Sequence, residues 1–133
     1  MATTDVRVLL DTHAFIWWMA NDRKLSVAAN RAIGDPEGEV FVSAATVWEI
    51  TTKHRLGKLQ IDPQIAADVE GAIKRQNFLG LPVTLRHAQT AGALPGPHSD
   101  PFDRMLIAQA LREELTMISN ETPFDAYGVA RLW

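Results

Sequence analysis

Arg7-Val8-Leu9-Leu10-Asp11-Thr12-His13-Ala14-Phe15-Ile16-Trp17-Trp18-Met19-Ala20 holds the change of pattern that decides the fold of this chain. Arg7 to Leu10 reads as a short apolar strand ending at Asp11, and Ala14 to Ala20 as a brief helix rich in large apolar groups. The same handover recurs. Val40-Phe41-Val42 is a second buried strand, and Ser43 caps a helix that runs to about Arg55 and ends at Gly57. Leu79 to Val83 is a third strand, followed by a helix capped by Thr84 that stops near Leu94-Pro95-Gly96-Pro97. Asp100-Pro101 opens the strongest helix, through Glu114, and Leu115-Thr116-Met117-Ile118 is a fourth strand. Val129 to Trp133 is a candidate fifth.

Two further helices fill the intervals. Ser26 caps Val27 to Ile33, and Asp62-Pro63 opens a helix whose apolar positions Ile65, Ala66, Val69 and Ile73 keep helical spacing. This alternation predicts an α/β fold with a mainly parallel sheet of four to five strands flanked by helices. Ligands in such folds bind at the carboxyl ends of the strands.

The 133 residues leave room for one domain, 1–133, and 47% hydrophobic residues supply an ordinary core. There is no cysteine, which excludes a disulfide framework and thiolate metal ligation. Met1 to Arg7 lacks the pattern of a signal peptide. No apolar run approaches the ~20 residues that span a bilayer. The expected setting is cytoplasmic, with no membrane partner. A net charge of −3 argues against gripping nucleic acid through a broad basic face, but not against an enzyme that clusters carboxylates around a divalent cation.

Carboxylates mark the handovers. Asp11 follows the first strand, Glu121 lies just past the fourth, and Asp103 sits in the first turn of the helix after Asp100-Pro101. Glu49 is about two turns into the helix after the second strand, so its helix must lean across the pocket. On a parallel sheet all of them can converge on one edge. Acids crowded together raise one another's pKa, and a hard cation such as magnesium or manganese relieves the repulsion. Two such ions about 4 Å apart can activate a water and stabilise the leaving oxygen of a phosphodiester. In this arrangement Asp11 is the central ligand, Asp103 and Glu49 complete the set, and Glu121 serves a second ion or orders a water.

Each residue also has a plainer reading. Asp100 and Asp103 suit a helix start on capping grounds alone, Asp11 suits a turn or cap, and mid-helix or surface glutamates are common. Thr12 can bond a carboxylate or stay a turn hydroxyl. Arg104 can meet a phosphate or pair with a neighbouring acid. His13 in a strand-exit loop can be incidental. Lys53, His54, Arg55 and Lys58 form the one dense basic stretch, fit either to guide a phosphodiester substrate or to complement the end of their helix. Trp17 and Trp48 are expected in the core. Adjacent Trp17 and Trp18 cannot share a helix face, so the early helices offer a candidate groove for a partner helix.

Taken together these motifs resemble a known family. Leu9-Leu10-Asp11-Thr12-His13-Ala14-Phe15-Ile16-Trp17 looks like the opening of PIN-domain toxins of the VapC type. Val42-Ser43-Ala44-Ala45-Thr46-Val47-Trp48-Glu49-Ile50, with Lys53 and Leu56-Gly57-Lys58-Leu59, is similar to their second motif. His98-Ser99-Asp100-Pro101-Phe102-Asp103-Arg104 through Ala110 resembles the third, and Ile118-Ser119-Asn120-Glu121 with Phe124 and Tyr127 the fourth. The resemblance implies a PIN-domain fold and a magnesium- or manganese-dependent endoribonuclease toxin. It implies a VapB-type antitoxin, a homodimer and an RNA target such as tRNA or rRNA. Asp11, Glu49 and Asp103 match the family's acids, with Thr12, Asp100, Arg104 and Ser119 around them and Lys53, Arg55 and Lys58 toward the RNA. One departure is Glu121, where the family usually has aspartate; Asp125 is the alternative fourth acid. A different metal-dependent phosphoester hydrolase and a non-catalytic PIN-like binding module are the competing readings.

Overall fold

The computed structural model describes residues 6–133. Residues 1–5, part of the stretch read for a targeting signal, lie outside that range. Five strands form one sheet: β1 (Arg7–Leu10), β2 (Glu39–Ser43), β3 (Leu79–Leu81), β4 (Thr116–Ile118) and β5 (Arg131–Leu132). Their order is β3-β2-β1-β4-β5, and every pairing is parallel. The helices are α1 (Thr12–Ala20), α2 (Val27–Gly34), α3 (Ala44–Arg55), α4 (Pro63–Ala67), α5 (Val69–Arg75), α6 (Leu85–Ala93) and α7 (Pro101–Glu113), with a 3-10 turn at Thr122–Tyr127.

The strands read as unbroken apolar runs because both faces of the sheet are covered. Side chains alternate between the faces. Val8, Leu10, Val40, Val42 and Ile118 join one core with Phe15 of α1, Ile33 of α2, Ile50 of α3 and Ile73 of α5. Leu9 and Met117 point the other way, into a second core with Leu106, Ile107 and Ala110 of α7 and Phe124 of the 3-10 turn. The α6 helix packs on α7.

The chain order turns back at β1, which has β2 on one side and β4 on the other. Neighbouring crossovers therefore leave the sheet in opposite directions, opening a crevice at the carboxyl ends of β1 and β4. Asp11 stands at its mouth, and its N–H still donates to Ile118 O at 3.1 Å, extending the ladder one residue past β1.

Three expectations change. The helix read through Ile65 to Ile73 is two pieces, because Asp68 leaves helical geometry at φ −151° and its Oδ1 accepts from Gly71 N–H at 2.9 Å, starting the helix afresh. Trp48 is not in the core but 65% exposed, since Ala45, Thr46, Glu49 and Ile50 occupy the inward side of α3. It leans edge-on against Phe102, ring centroids 5.0 Å apart. Trp17 is only partly buried, between His13 and Trp133.

Arg104 meets neither a phosphate site nor an acid. Its guanidinium donates to the carbonyls of Ala91 and His98 at 3.2 and 3.0 Å and to that of Leu94, clasping the α6–α7 connection. Hydrogen bonds from a charged donor contribute about 1.5–3 kcal/mol each before exposure is discounted. Arg104→Ala is therefore expected to lower urea-unfolding stability by about 2 kcal/mol. Arg104→Lys should recover only part of that, because an ammonium lacks the planar fork.

Candidate functional site

Four chain segments deliver acids to one place. Asp11, Glu49, Asp100, Asp103 and Glu121 line a single cavity of about 50 Å³, together with Thr12, His13 and Lys53. A larger hollow of about 560 Å³, lined by Leu85, Arg86, Gln89, Thr90 and Arg112, contains no carboxylate. The acids gather in the smaller one.

Local structure explains how each acid gets there. Asp11 is the N-cap of α1, with Oδ1 accepting from Ala14 N–H at 2.7 Å. Asp100 is the N-cap of α7, its Oδ1 accepting from the N–H groups of Phe102 and Asp103 at 2.9 and 3.1 Å. Two helix N-termini thus face the cavity, where their dipoles favour negative charge. Asp103 follows in the first turn of α7. Glu49 projects from α3 and is buried. Its Oε1 accepts from Thr12 Oγ1 at 2.6 Å and its Oε2 from Lys53 Nζ at 2.5 Å. Thr46 stands behind, its hydroxyl 3.3 Å from that of Thr12. Ser119 is fully buried, and its Oγ accepts from Glu121 N–H at 3.0 Å, setting the chain's exit from β4.

Burial dominates the electrostatics. Loss of hydration lifts the Asp11 carboxyl from the ordinary carboxylate range to about 6, against the pull of hydrogen bonds from Ser119 and Ala14 and the charge of His13. Asp103 is also raised, first by burial and then by the charges of Asp100 and Glu49, while the His98 hydrogen bond opposes the rise. Lys53 is raised, chiefly by its hydrogen bond to Glu49 and further by the charges of Glu49, Asp100 and Asp103.

The proposed set therefore separates. Asp11, Glu49, Asp103 and Glu121 face one cavity, with Thr12 and Asp100 beside them and Lys53 inside the rim. Arg104 stands behind the wall, on backbone carbonyls. Arg55 and Lys58 are exposed near the far end of α3 and do not line the cavity. Asp125 cannot replace Glu121. It sits on the outside of the 3-10 turn, held bidentately by Arg131 at 2.8 and 3.0 Å. His98 has no role in the sequence reading, yet its Nε2 lies 2.9 Å from Asp103 Oδ2. Its place in the third motif was the one available signal, because the contact depends on how the α6–α7 connection folds back.

The donors suit a hard cation: they are carboxylate oxygens, with no sulfur and no clustered imidazoles. Among the described residues no three acids or histidines stand ready-spaced as a finished metal cage. Glu49 is engaged by Thr12 and Lys53, and Asp103 by His98. Glu49, with both oxygens engaged, must first exchange a partner to bind an ion, whereas Asp103 has one oxygen engaged and can bind through the other.

Comparison with known proteins agrees with this architecture. The chain is 29% identical over 115 residues to Ribonuclease VapC22 of Mycobacterium tuberculosis, covering 86% of each protein. Among solved structures it is similar to VapBC2 from Rickettsia felis bound to a promoter DNA fragment, with TM-score 0.69, 13% identity and coverage of 96% of this chain and 98% of the other. It is similar also to VapBC-1 from nontypeable Haemophilus influenzae, with TM-score 0.67, 19% identity and coverage of 96% and 97%. Mycobacterium tuberculosis VapC20, a Sarcin-Ricin loop cleaving toxin, aligns with TM-score 0.64, 17% identity and coverage of 92% and 96%. Residues 8–130 match the PIN domain family, a span that holds β2, β3, β4, all of β1 after Arg7 and every acid of the cavity, and the protein belongs to that family.

Proposed function

We propose that this chain is a magnesium- or manganese-dependent endoribonuclease, the toxin half of a VapBC-type toxin–antitoxin module. The observation that carries the reading is the meeting of Asp11, Glu49, Asp103 and Glu121 in one small cavity at the strand ends. The likeness to Ribonuclease VapC22 over most of both chains supports the choice of RNA.

Asp11, Glu49 and Asp103 would hold the cation, with Glu121 ordering a water or a second ion. A bound ion would supply Lewis acidity to the scissile phosphate and make an attacking water more acidic. The protein's own groups do the rest. Thr12 orients Glu49, and the caps at Asp11 and Asp100 fix the two helix N-termini against the pocket. Lys53, released from Glu49, is the cation within reach of a substrate phosphate. Water adds across a P–O bond, leaving a 5′-phosphate on one product and a 3′-hydroxyl on the other.

A VapB-type antitoxin is the expected partner, as in the VapBC complexes this fold resembles. Trp17 and Trp18 are both partly buried on α1, and they remain the candidate edge of its groove. A homodimer is the assembly expected from the family resemblance. Among the described residues no helix is long and apolar enough to cross a membrane.

Two experiments follow. Asp11→Asn and Asp103→Asn should each lower RNA cleavage by more than about 100-fold, because changes merely adjacent to metal ligands already cost about 10–100-fold. Their circular dichroism should match wild type, and undiminished cutting by Asp11→Asn would remove the assignment. The second concerns pH. Asp11 binds a proton more tightly folded than unfolded, at about 6 against 3.8. In chelator-treated protein its contribution to stability is therefore full below pH about 4 and lost as the pH rises through about 6. Asp11→Asn should flatten that slope, by up to about 3 kcal/mol in urea unfolding. Proton and cation compete for the same oxygens, so manganese affinity should fall as the pH drops through about 6.

A further inference from the structure

The α6–α7 connection carries an imidazole that the mechanism above does not use. His98 Nε2 lies 2.9 Å from Asp103 Oδ2. Distant parts of the chain fix the position of that ring. The backbone N–H of His98 donates to the Tyr127 hydroxyl at 3.1 Å, and its carbonyl accepts from Arg104 Nη1 at 3.0 Å. The ring meets Phe124 edge-on, centroids 5.7 Å apart at 86°, and Phe124 is fully buried. Two residues earlier Gly96 takes φ +105°, and a Cβ there would fall 2.8 Å from the Tyr127 hydroxyl. Both the backbone and the absence of a side chain at that point are needed for the connection to close on Tyr127.

These contacts separate into two kinds. The bonds to Tyr127 and Arg104 are made by the backbone of residue 98, and any amino acid there but proline would make them both. The ring contact to Asp103 is the one that depends on histidine at this position. It acts on a carboxylate in the first turn of α7, beside Asp100 and facing Asp11 and Glu49 across the cavity. A freely rotating aspartate in that position would turn toward water and away from the other acids. A donor on a fixed ring removes that freedom, as hydrogen-bonding partners of metal-binding groups generally do.

We propose that His98 is a positioning residue for Asp103, its Nε2–H holding Oδ2 so that the second oxygen is presented to the cation. The proposal rests on the metal-dependent reading above. It differs from the ligand assignment in naming a residue that touches neither cation nor substrate.

The test is manganese titration calorimetry on the full chain, with RNA cleavage measured in parallel, for wild type, His98→Ala and His98→Gln. The alanine variant should bind manganese about 10–100-fold more weakly. The glutamine variant, whose side-chain amide also donates from the end of a chain of similar reach, should recover most of the affinity. If wild type binds and His98→Ala binds equally well, or if a folded His98→Gln is as weak as alanine, the positioning role is overturned and the nuclease reading stands. If wild type binds no manganese, both fall. Should His98→Ala fail to fold, a long-range nitrogen–proton NMR spectrum of wild type decides: a protonated His98 Nε2 in slow exchange supports the proposal, and a bare one overturns it.

Discussion

Like charges held close together with little water around them are the constraint on which the rest of this structure depends. Five carboxylates share a cavity little larger than a water molecule or two, and three of the surrounding elements begin or bend there. The cost is visible at Asp11, whose carboxyl is lifted to about 6, first by burial and least by the charge of Asp103, even though a backbone N–H and a serine hydroxyl both favour its charged form. Much of what surrounds the cavity reduces that cost. Helices α1 and α7 both point their N-termini at it, and each such end stabilises a nearby negative charge by about 0.3–1 kcal/mol. Thr12 and Lys53 take the two oxygens of Glu49, and His98 takes one of Asp103.

Those same partners keep the acids from collapsing outward into solvent. A carboxylate on a flexible side chain lowers its energy by moving to water, and a binding site made of such groups needs each one restrained. Asp11 is restrained by its own helix cap, Glu49 by a threonine from α1, and Asp103 by an imidazole that α7 and the 3-10 turn position. Capping and site formation are thus one device here. An acid at a helix start satisfies orphan N–H groups and is delivered to the sheet's edge by the same few torsions.

The alternatives that composition left open resolve along these lines. Asp100 caps α7 and also lines the cavity, so a cap and a place beside the other acids do not exclude each other. Of the basic stretch, Lys53 turns inward one helical turn beyond Glu49, and Arg55 and Lys58 stay exposed. Asp125 is excluded from the cavity by Arg131, which approaches from β5. Trp48 departs furthest from expectation, because a helix beside a crevice buries its polar residue, Glu49, and leaves the aromatic one outside.

Local pattern was enough for the strands, most of the helices, their order and the acids at the handovers, since strand runs, caps and helix-opening prolines act within a few residues of one another. It was enough, too, to see that Asp11, Glu49, Asp103 and Glu121 stand near strand ends. The break at Asp68, the exposure of Trp48, the inward turn of Lys53 and the recruitment of Arg104 and His98 to the α6–α7 connection were decided only in three dimensions. The place of Trp48 against Phe102 and that of His98 against Tyr127 depend on partners far away in the chain. His98 and Tyr127 are 29 residues apart and Thr12 and Glu49 37, separations at which spacing along a sequence carries no information about direction. Where a side chain points is settled by what packs against it, and here that is the crevice between β1 and β4.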